Sequence, residues 1–161
     1  MKIGIFVYSE AGHTLSVARL LAEKLTEMGH EPAVEDLLGV RIESQGAGRV
    51  QPSLADLKRP AVSGCDAYVF ASPVQAFSLP PAMAAWLGAL PSLGGARAAC
   101  FVTKALPWHW TGGNQAVGEI LKTLEASGAS VAATGIVNWS GAGRESGIRK
   151  VVAKIASAFP V

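Results

Sequence analysis

Residues 6–30 have the sequence FVYSEAGHTLSVARLLAEKLTEMGH, and this stretch decides which fold the chain adopts. Residues 2–8 form a nearly continuous apolar run, which is typical of a strand buried on both faces. From Thr14 to Met28 the apolar residues recur at helical spacing, and Gly29 then ends the helix. The stretch therefore predicts a strand and a helix joined by a short turn of small and hydroxyl residues, 9–14.

The composition of the 161-residue chain is that of a folded protein, since 50% of the residues are hydrophobic and only 16% are charged. We predict a single domain, residues 1–161. The net charge is only +2 and the basic residues are scattered, so we expect no nucleic-acid partner. No uninterrupted apolar stretch is long enough to span a membrane, so we expect no membrane association. Cys65 and Cys100 each border a predicted strand, which favours free thiols and a cytoplasmic location.

Strands and helices alternate along the rest of the chain. A charged and weakly alternating segment, 30–37, predicts a strand at a sheet edge. Residues 38–60 read mostly as loop, with a helical turn around 53–58. Further strands are predicted at 66–73, 96–105 and 129–139, and helices at 78–90, 112–128 and 143–159.

This alternation predicts an α/β fold with a doubly wound, five-stranded parallel sheet. The common strand order for such a sheet is 2-1-3-4-5, and its ligands bind beyond the carboxyl ends of the strands, beside strand one. Residues 9–14, 73–79 and 104–113 are expected at that position. The histidines and cysteines are dispersed, so the sequence predicts no metal site.

The turn at residues 9–14 has the properties of an anion-binding site. A helix N-terminus presents unpaired amides and a partial positive charge, and small residues let a phosphate approach them. Ser9 and Thr14 add hydroxyl donors, and Gly12 adopts backbone conformations that other residues avoid. In the alternative interpretation, Ser9 or Thr14 only caps the helix. The nucleotide-binding patterns G-x-x-x-x-G-K-[ST] and G-x-G-x-x-G are absent from this turn.

The segment YSEAGHT resembles the phosphate loop of the flavodoxin-like family, usually written (S/T)-x-(S/T)-G-x-T. Ser9, Gly12 and Thr14 match that pattern, Ala11 replaces the middle hydroxyl residue, and His13 stands where asparagine is frequent. The resemblance implies a flavodoxin-like fold that binds FMN. The phosphate-binding residues that it implies are Ser9, Glu10, Ala11, Gly12, His13 and Thr14.

Two further loops resemble the same family. FASPVQAFSLPPAMAAWL, residues 70–87, is similar to the exit of its third strand, where S-P-x-x-x-x-x-x-P leads into a helix. TKALPWHWTGGNQ, residues 103–115, corresponds to its third flavin-contacting loop. The resemblance implies that the flavin ring contacts Pro73, Val74, Gln75, Ala76, Phe77, Lys104, Ala105, Leu106, Trp108, Trp110, Gly112 and Gly113. In the alternative interpretation, Phe77 packs in the protein and the two tryptophans of the third loop form a partner interface. Trp86 lies inside a predicted helix, which favours packing over flavin contact.

The resemblance implies an oxidoreductase that passes electrons from NAD(P)H to a quinone, a flavin or another small acceptor. His109 is the candidate catalytic residue, since a histidine titrates near neutral pH and can donate a proton to the acceptor. One alternative is a flavodoxin-type electron shuttle between partner proteins. The mildly basic charge and the absence of glycine from PVQAFS weigh against it. Another alternative, suggested by Ala11, is a flavin-free interaction domain. Members of this fold often form homodimers, so a homodimer is also expected.

Overall fold

A computed structural model of the chain describes residues 1–39, 51–105 and 112–161. Its elements alternate between strand and helix as the sequence predicts. They are β1 (Lys2–Val7), α1 (His13–Glu27), β2 (Glu31–Asp36), a 3-10 turn (Leu54–Asp56), β3 (Ala67–Pro73), α2 (Pro81–Gly88), β4 (Arg97–Lys104), α3 (Gly113–Ala126), β5 (Ser130–Asn138) and α4 (Arg144–Ser157). Residues 40–50 of the predicted 38–60 loop lie outside the described residues.

The five strands form one parallel sheet in the order β2-β1-β3-β4-β5, which confirms the predicted α/β fold. The charged strand β2 lies at an edge, as its sequence predicts. The register pairs Val7 of β1 with Ala71 of β3, and Thr103 of β4 with Val137 of β5. The carboxyl ends of these strands therefore meet at one edge of the sheet, and the chain segments that follow them lie side by side.

The helices cover both faces of the sheet, and each face has its own apolar core. Helices α1 and α4 pack on one face together with Val7 and Phe101, while α2 and α3 pack on the other with Phe6 and Phe70. Trp86 of α2 is fully buried in the second core, which confirms that it is a packing residue. Among the described residues, no helix is both long and apolar enough to cross a membrane.

Both cysteines are free thiols, as predicted. Cys100 is fully buried in β4, and this burial raises its pKa to about 12. Burial also raises the pKa of Cys65, with the neighbouring Asp66 carboxylate as a smaller cause. The described structure therefore keeps both thiols in the unreactive protonated form at neutral pH.

Candidate functional site

A cavity of about 350 Å³ opens at the carboxyl ends of β1, β3 and β4, where the strand order reverses between β1 and β3. The sequence analysis places a ligand at this position. The cavity brings together residues from all three predicted loops and one residue that follows β5. Its described lining consists of Ser9, Glu10, Ala11, His13, Thr14, Pro73, Val74, Gln75, Thr103, Lys104, Ala105 and Trp139.

The turn before α1 folds around the Ser9 hydroxyl. Gly12 takes a left-handed conformation with φ 96°, which lets the chain turn sharply into the helix. Ser9 Oγ accepts hydrogen bonds from the Gly12 amide at 3.1 Å and the Leu15 amide at 3.4 Å. Ser9 thus caps the helix, as the alternative interpretation holds, but it satisfies only part of the helix terminus. Within residues 1–39, 51–105 and 112–161, the amides of His13 and Thr14 have no hydrogen-bond acceptor.

The His13 and Thr14 amides, which together form an amide cradle, fit an anionic ligand. They belong to the first turn of a 15-residue helix, whose dipole places a partial positive charge at this end. His13 and Thr14 also line the cavity, so an anion inside it can reach their backbone. The cradle therefore suits the phosphate of a flavin, even though Ala11 contributes no hydroxyl group.

Thr14 has a more specific role than its sequence position suggests. Its side chain is buried, and its hydroxyl shares a hydrogen bond of 2.8 Å with the hydroxyl of Thr103 at the end of β4. This bond fixes the start of α1 to the third loop. Thr103 lines the cavity as well, although the sequence analysis did not identify it. Its position one residue before the predicted Lys104 is the signal that could have identified it.

Glu10 is a buried acid inside the predicted phosphate loop. Its Oε2 accepts hydrogen bonds from the Tyr8 hydroxyl at 3.1 Å and from the Gln75 side-chain amide. The contact with Gln75 connects the first loop to the second one. The Glu10 carboxyl group therefore lies at the wall of the cavity, close to the turn that begins α1.

The second loop contains a tight turn from Gln75 to Ser78. The two backbone amides and carbonyls of these residues exchange hydrogen bonds of 2.8 and 2.9 Å. Between them, Ala76 and Phe77 have φ values of 48° and 65°, a left-handed conformation that costs free energy for residues other than glycine. Pro73, Val74 and Gln75 line the cavity, whereas Ala76 and Phe77 do not contribute to its lining. The Phe77 side chain is half exposed.

Gly112 supports this strained turn from the start of α3. A side-chain carbon built on Gly112 would lie only 2.1 Å from the Phe77 carbonyl oxygen, and Gly112 has a φ of 95°. Gly113 also packs closely, because a carbon there would lie 3.2 Å from the Ile136 side chain and 3.3 Å from the Lys104 side chain. Neither glycine is among the described residues that line the cavity.

Lys104 and Ala105 of the third loop line the cavity. Lys104 is buried, and this burial lowers the pKa of its ammonium group. Four other predicted residues of this loop, Leu106, Trp108, His109 and Trp110, lie outside the described residues.

Trp139 completes the described wall of the cavity and was missed by the sequence analysis. It follows β5, and its amide donates a 2.8 Å hydrogen bond to the Lys104 carbonyl. Its ring stacks on the His13 imidazole with centroids 4.2 Å apart and planes inclined by 12°. The guanidinium of Arg144 lies 5.0 Å from the centre of the indole ring. Its position as the aromatic last residue of the predicted strand 129–139 was the available signal.

The order of the sheet and the position of the cavity define a flavodoxin-like α/β protein. In sequence, the model of the NADPH-dependent FMN reductase family matches residues 1–144, so the chain belongs to that family. The match indicates that the chain binds FMN, as predicted. No curated protein sequence matches the chain.

Solved structures of flavodoxins have the same fold. A flavodoxin from Pseudomonas aeruginosa aligns with a TM-score of 0.68 at 16% identity, covering 98% of each chain. A flavodoxin from Bacillus cereus aligns with a TM-score of 0.67 at 17% identity, covering 99% of each chain. Megasphaera elsdenii flavodoxin aligns with a TM-score of 0.64 at 18% identity over 96% of this chain and 98% of its own. At these identities the likeness concerns the fold alone.

Proposed function

We propose that the chain is an oxidoreductase that holds FMN in this cavity and passes electrons from NAD(P)H to a quinone, a flavin or another small acceptor. The observation that carries the proposal is the amide cradle of His13 and Thr14, which opens into a cavity at the β1–β3 switch point. Bound FMN would supply the electron transfer, and the chain would supply binding and orientation.

The lining of the cavity supports this assignment on its two sides. On the side of α1, the His13 and Thr14 amides would hold the phosphate, with the helix dipole as the source of positive potential. On the other side, Pro73 and Val74 offer apolar surface for a flat ring, and Gln75 and Ala105 lie next to them. The volume of about 350 Å³ is within the range of roughly 300–1,000 Å³ that is usual for small-molecule sites.

The turn from Gln75 to Ser78 would position the ring. Its strain is retained because Gly112 packs against the Phe77 backbone from behind and Glu10 holds the Gln75 side chain from the first loop. A turn fixed from two sides keeps Val74 and Gln75 in place when the cavity is filled. The proton-transfer role of His109, the homodimer and the cytoplasmic location stay predictions.

The activity is tested by anaerobic titration of the FMN-loaded protein with NADPH and, separately, NADH. We expect the flavin absorbance to bleach with at least one of them, followed by turnover when a quinone or free flavin is added. Bleaching by dithionite but by neither nucleotide would contradict the reductase and favour the electron shuttle. Unchanged turnover in His109→Ala would remove the proposed role of that histidine.

Replacing Ser9 with alanine is expected to weaken FMN binding about tenfold or more. The change removes the acceptor of the Gly12 and Leu15 amides, which leaves both unsatisfied and loosens the cradle, at a cost of about 1–3 kcal/mol. The dissociation constant is measured from flavin fluorescence. Ser16→Ala is the matched control, because that hydroxyl is exposed on the same helix and donates to the His13 carbonyl. Equal FMN affinity in Ser9→Ala and wild type would contradict the assignment of the cradle.

A further inference from the structure

The predicted phosphate loop offers its proposed ligand mainly backbone amides and hydroxyl groups. Residues 9–14 contain no lysine or arginine, and Glu10 contributes a buried carboxylate that lines the same cavity. A phosphate held by the His13 and Thr14 amides would therefore lie close to the Glu10 carboxyl group, with no lysine or arginine of the loop beside it. The helix dipole is equivalent to only about half an elementary charge, which offsets only part of the charge of a phosphate dianion.

Three basic side chains lie near this loop in the described part of the chain. Lys104 lines the cavity, and burial lowers the pKa of its ammonium group. Its side chain lies near Gly113 at the start of α3, where a carbon added to the glycine would be 3.3 Å away. Arg144 at the start of α4 is exposed and lies over the Trp139 ring, and it does not line the cavity. His13 lines the cavity and is also the first residue of α1. The same residue therefore supplies an imidazole ring and one of the two amides of the cradle.

Trp139 holds the His13 ring in place. The two rings are almost parallel at 4.2 Å, and the Trp139 backbone is itself fixed to β4 by its hydrogen bond to the Lys104 carbonyl. Arg144 lies 5.0 Å from the indole and donates to the Trp139 carbonyl at 3.5 Å. The imidazole therefore has a defined position at the wall of the cavity, and an indole face also stabilises an adjacent cation.

We propose that His13, held by Trp139, is the titratable cation of the phosphate site, so that binding of FMN is coupled to uptake of a proton by His13. This inference rests on the proposed function and identifies how the same site recognises its phosphate. The proton comes from solvent and goes to the imidazole ring, and no other bond changes. The binding of riboflavin, which lacks the phosphate, is then not coupled to this proton.

The charges around His13 agree with this coupling. Without ligand, partial burial and, to a smaller extent, the Arg144 guanidinium lower the pKa of His13 from its ordinary value of 6.5. Glu10 and Lys104 are the other titratable side chains among the described residues that line the cavity. A phosphate dianion in the cradle adds a negative charge beside the ring and raises the pKa of His13 in the complex. FMN affinity contributed by His13 is thus fully present at low pH and is lost as pH rises through the pKa of the complex.

The test compares wild type, His13→Gln and the control Arg19→Gln, which removes one exposed positive charge from the same helix outside the cavity. Binding of FMN and of riboflavin is measured from pH 5.5 to 8.5 by flavin fluorescence, and proton uptake by calorimetry in two buffers of different ionisation enthalpy. Because FMN also titrates at its phosphate, the informative quantity is the difference between wild type and His13→Gln.

We expect the FMN affinity of wild type to exceed that of His13→Gln by about tenfold at the acid end and to approach it at the alkaline end, since one pKa unit corresponds to a factor of ten. Wild type should take up more protons than His13→Gln on binding FMN, whereas Arg19→Gln should match wild type. Equal pH profiles and equal proton uptake in wild type and His13→Gln would overturn the inference. An equal difference between wild type and His13→Gln in the binding of riboflavin would also overturn the inference, because it would place His13 against the flavin ring. Failure of wild type to bind FMN at any pH would instead contradict the proposed function.

Discussion

Replacing Trp86 with alanine is expected to lower the free energy of unfolding by about 3–5 kcal/mol. The indole is fully buried in the core between the sheet and α2, with its ring centre 5.7 Å from that of Phe6 and 6.0 Å from that of Phe70. Its Nε1 donates a 2.8 Å hydrogen bond to the Lys58 carbonyl, so the truncation leaves both a cavity and an unsatisfied acceptor. The loss is measured by urea denaturation, and we expect the melting temperature to fall by about 10 °C or more.

Trp86→Phe keeps most of the apolar volume and is expected to lose less stability than Trp86→Ala, so it serves if the alanine variant does not fold. Because Trp86 does not line the cavity, folded Trp86→Phe should bind FMN within about twofold of wild type. A large loss of FMN affinity with unchanged stability would contradict the assignment of Trp86 to the core.

The Gly112→Ala variant is expected to be less stable than the wild type by about 2–5 kcal/mol. Its methyl group would lie 2.1 Å from the Phe77 carbonyl oxygen, a backbone atom that moves only if the turn moves. The φ of 95° adds strain for any residue with a side chain. Since the Gln75–Ser78 turn borders the cavity, we expect FMN affinity to fall as well.

Gly118→Ala is the matched control for this change, because Gly118 lies in the same helix, is exposed and has no atom within 4 Å of the added carbon. We expect that variant to gain about 0.5–1 kcal/mol from helix propensity. Thermal melts of both variants, with and without FMN, separate the loss of stability from the loss of FMN affinity. A Gly112→Ala protein as stable as wild type would show that Gly112 does not support the turn.

Local patterns predicted most of the fold because they encode burial directly. Strand β3 is a continuous apolar run, which only a strand covered on both faces tolerates, and it lies at the centre of the sheet. Strand β2 carries charges and lies at the edge. Helix α2 begins at Pro81, where a missing amide has little cost. The last helix ends at Ser157, two residues before the predicted end, because helix termini have weaker signals than helix interiors.

The parts of the site that could not be predicted depend on contacts between distant segments. The stack of His13 on Trp139 joins the first loop to the residue after β5, and no local pattern encodes that pair. The left-handed turn at Ala76 and Phe77 lacks the glycine or asparagine that usually signals such a conformation. It is held by Gly112 from another element. The buried contact between Glu10 and Gln75 likewise links two loops that the sequence analysis treated separately.

The central claim is that the cavity at the carboxyl ends of β1 and β3 binds FMN through its phosphate. The most direct test is an equilibrium titration of the full chain with FMN, followed by flavin fluorescence and repeated with riboflavin and with added inorganic phosphate. We predict saturation at one FMN per chain, weaker binding of riboflavin, and competition by inorganic phosphate against FMN but not against riboflavin. Absence of saturable FMN binding by the folded protein, or equal and phosphate-insensitive binding of both flavins, would contradict the claim.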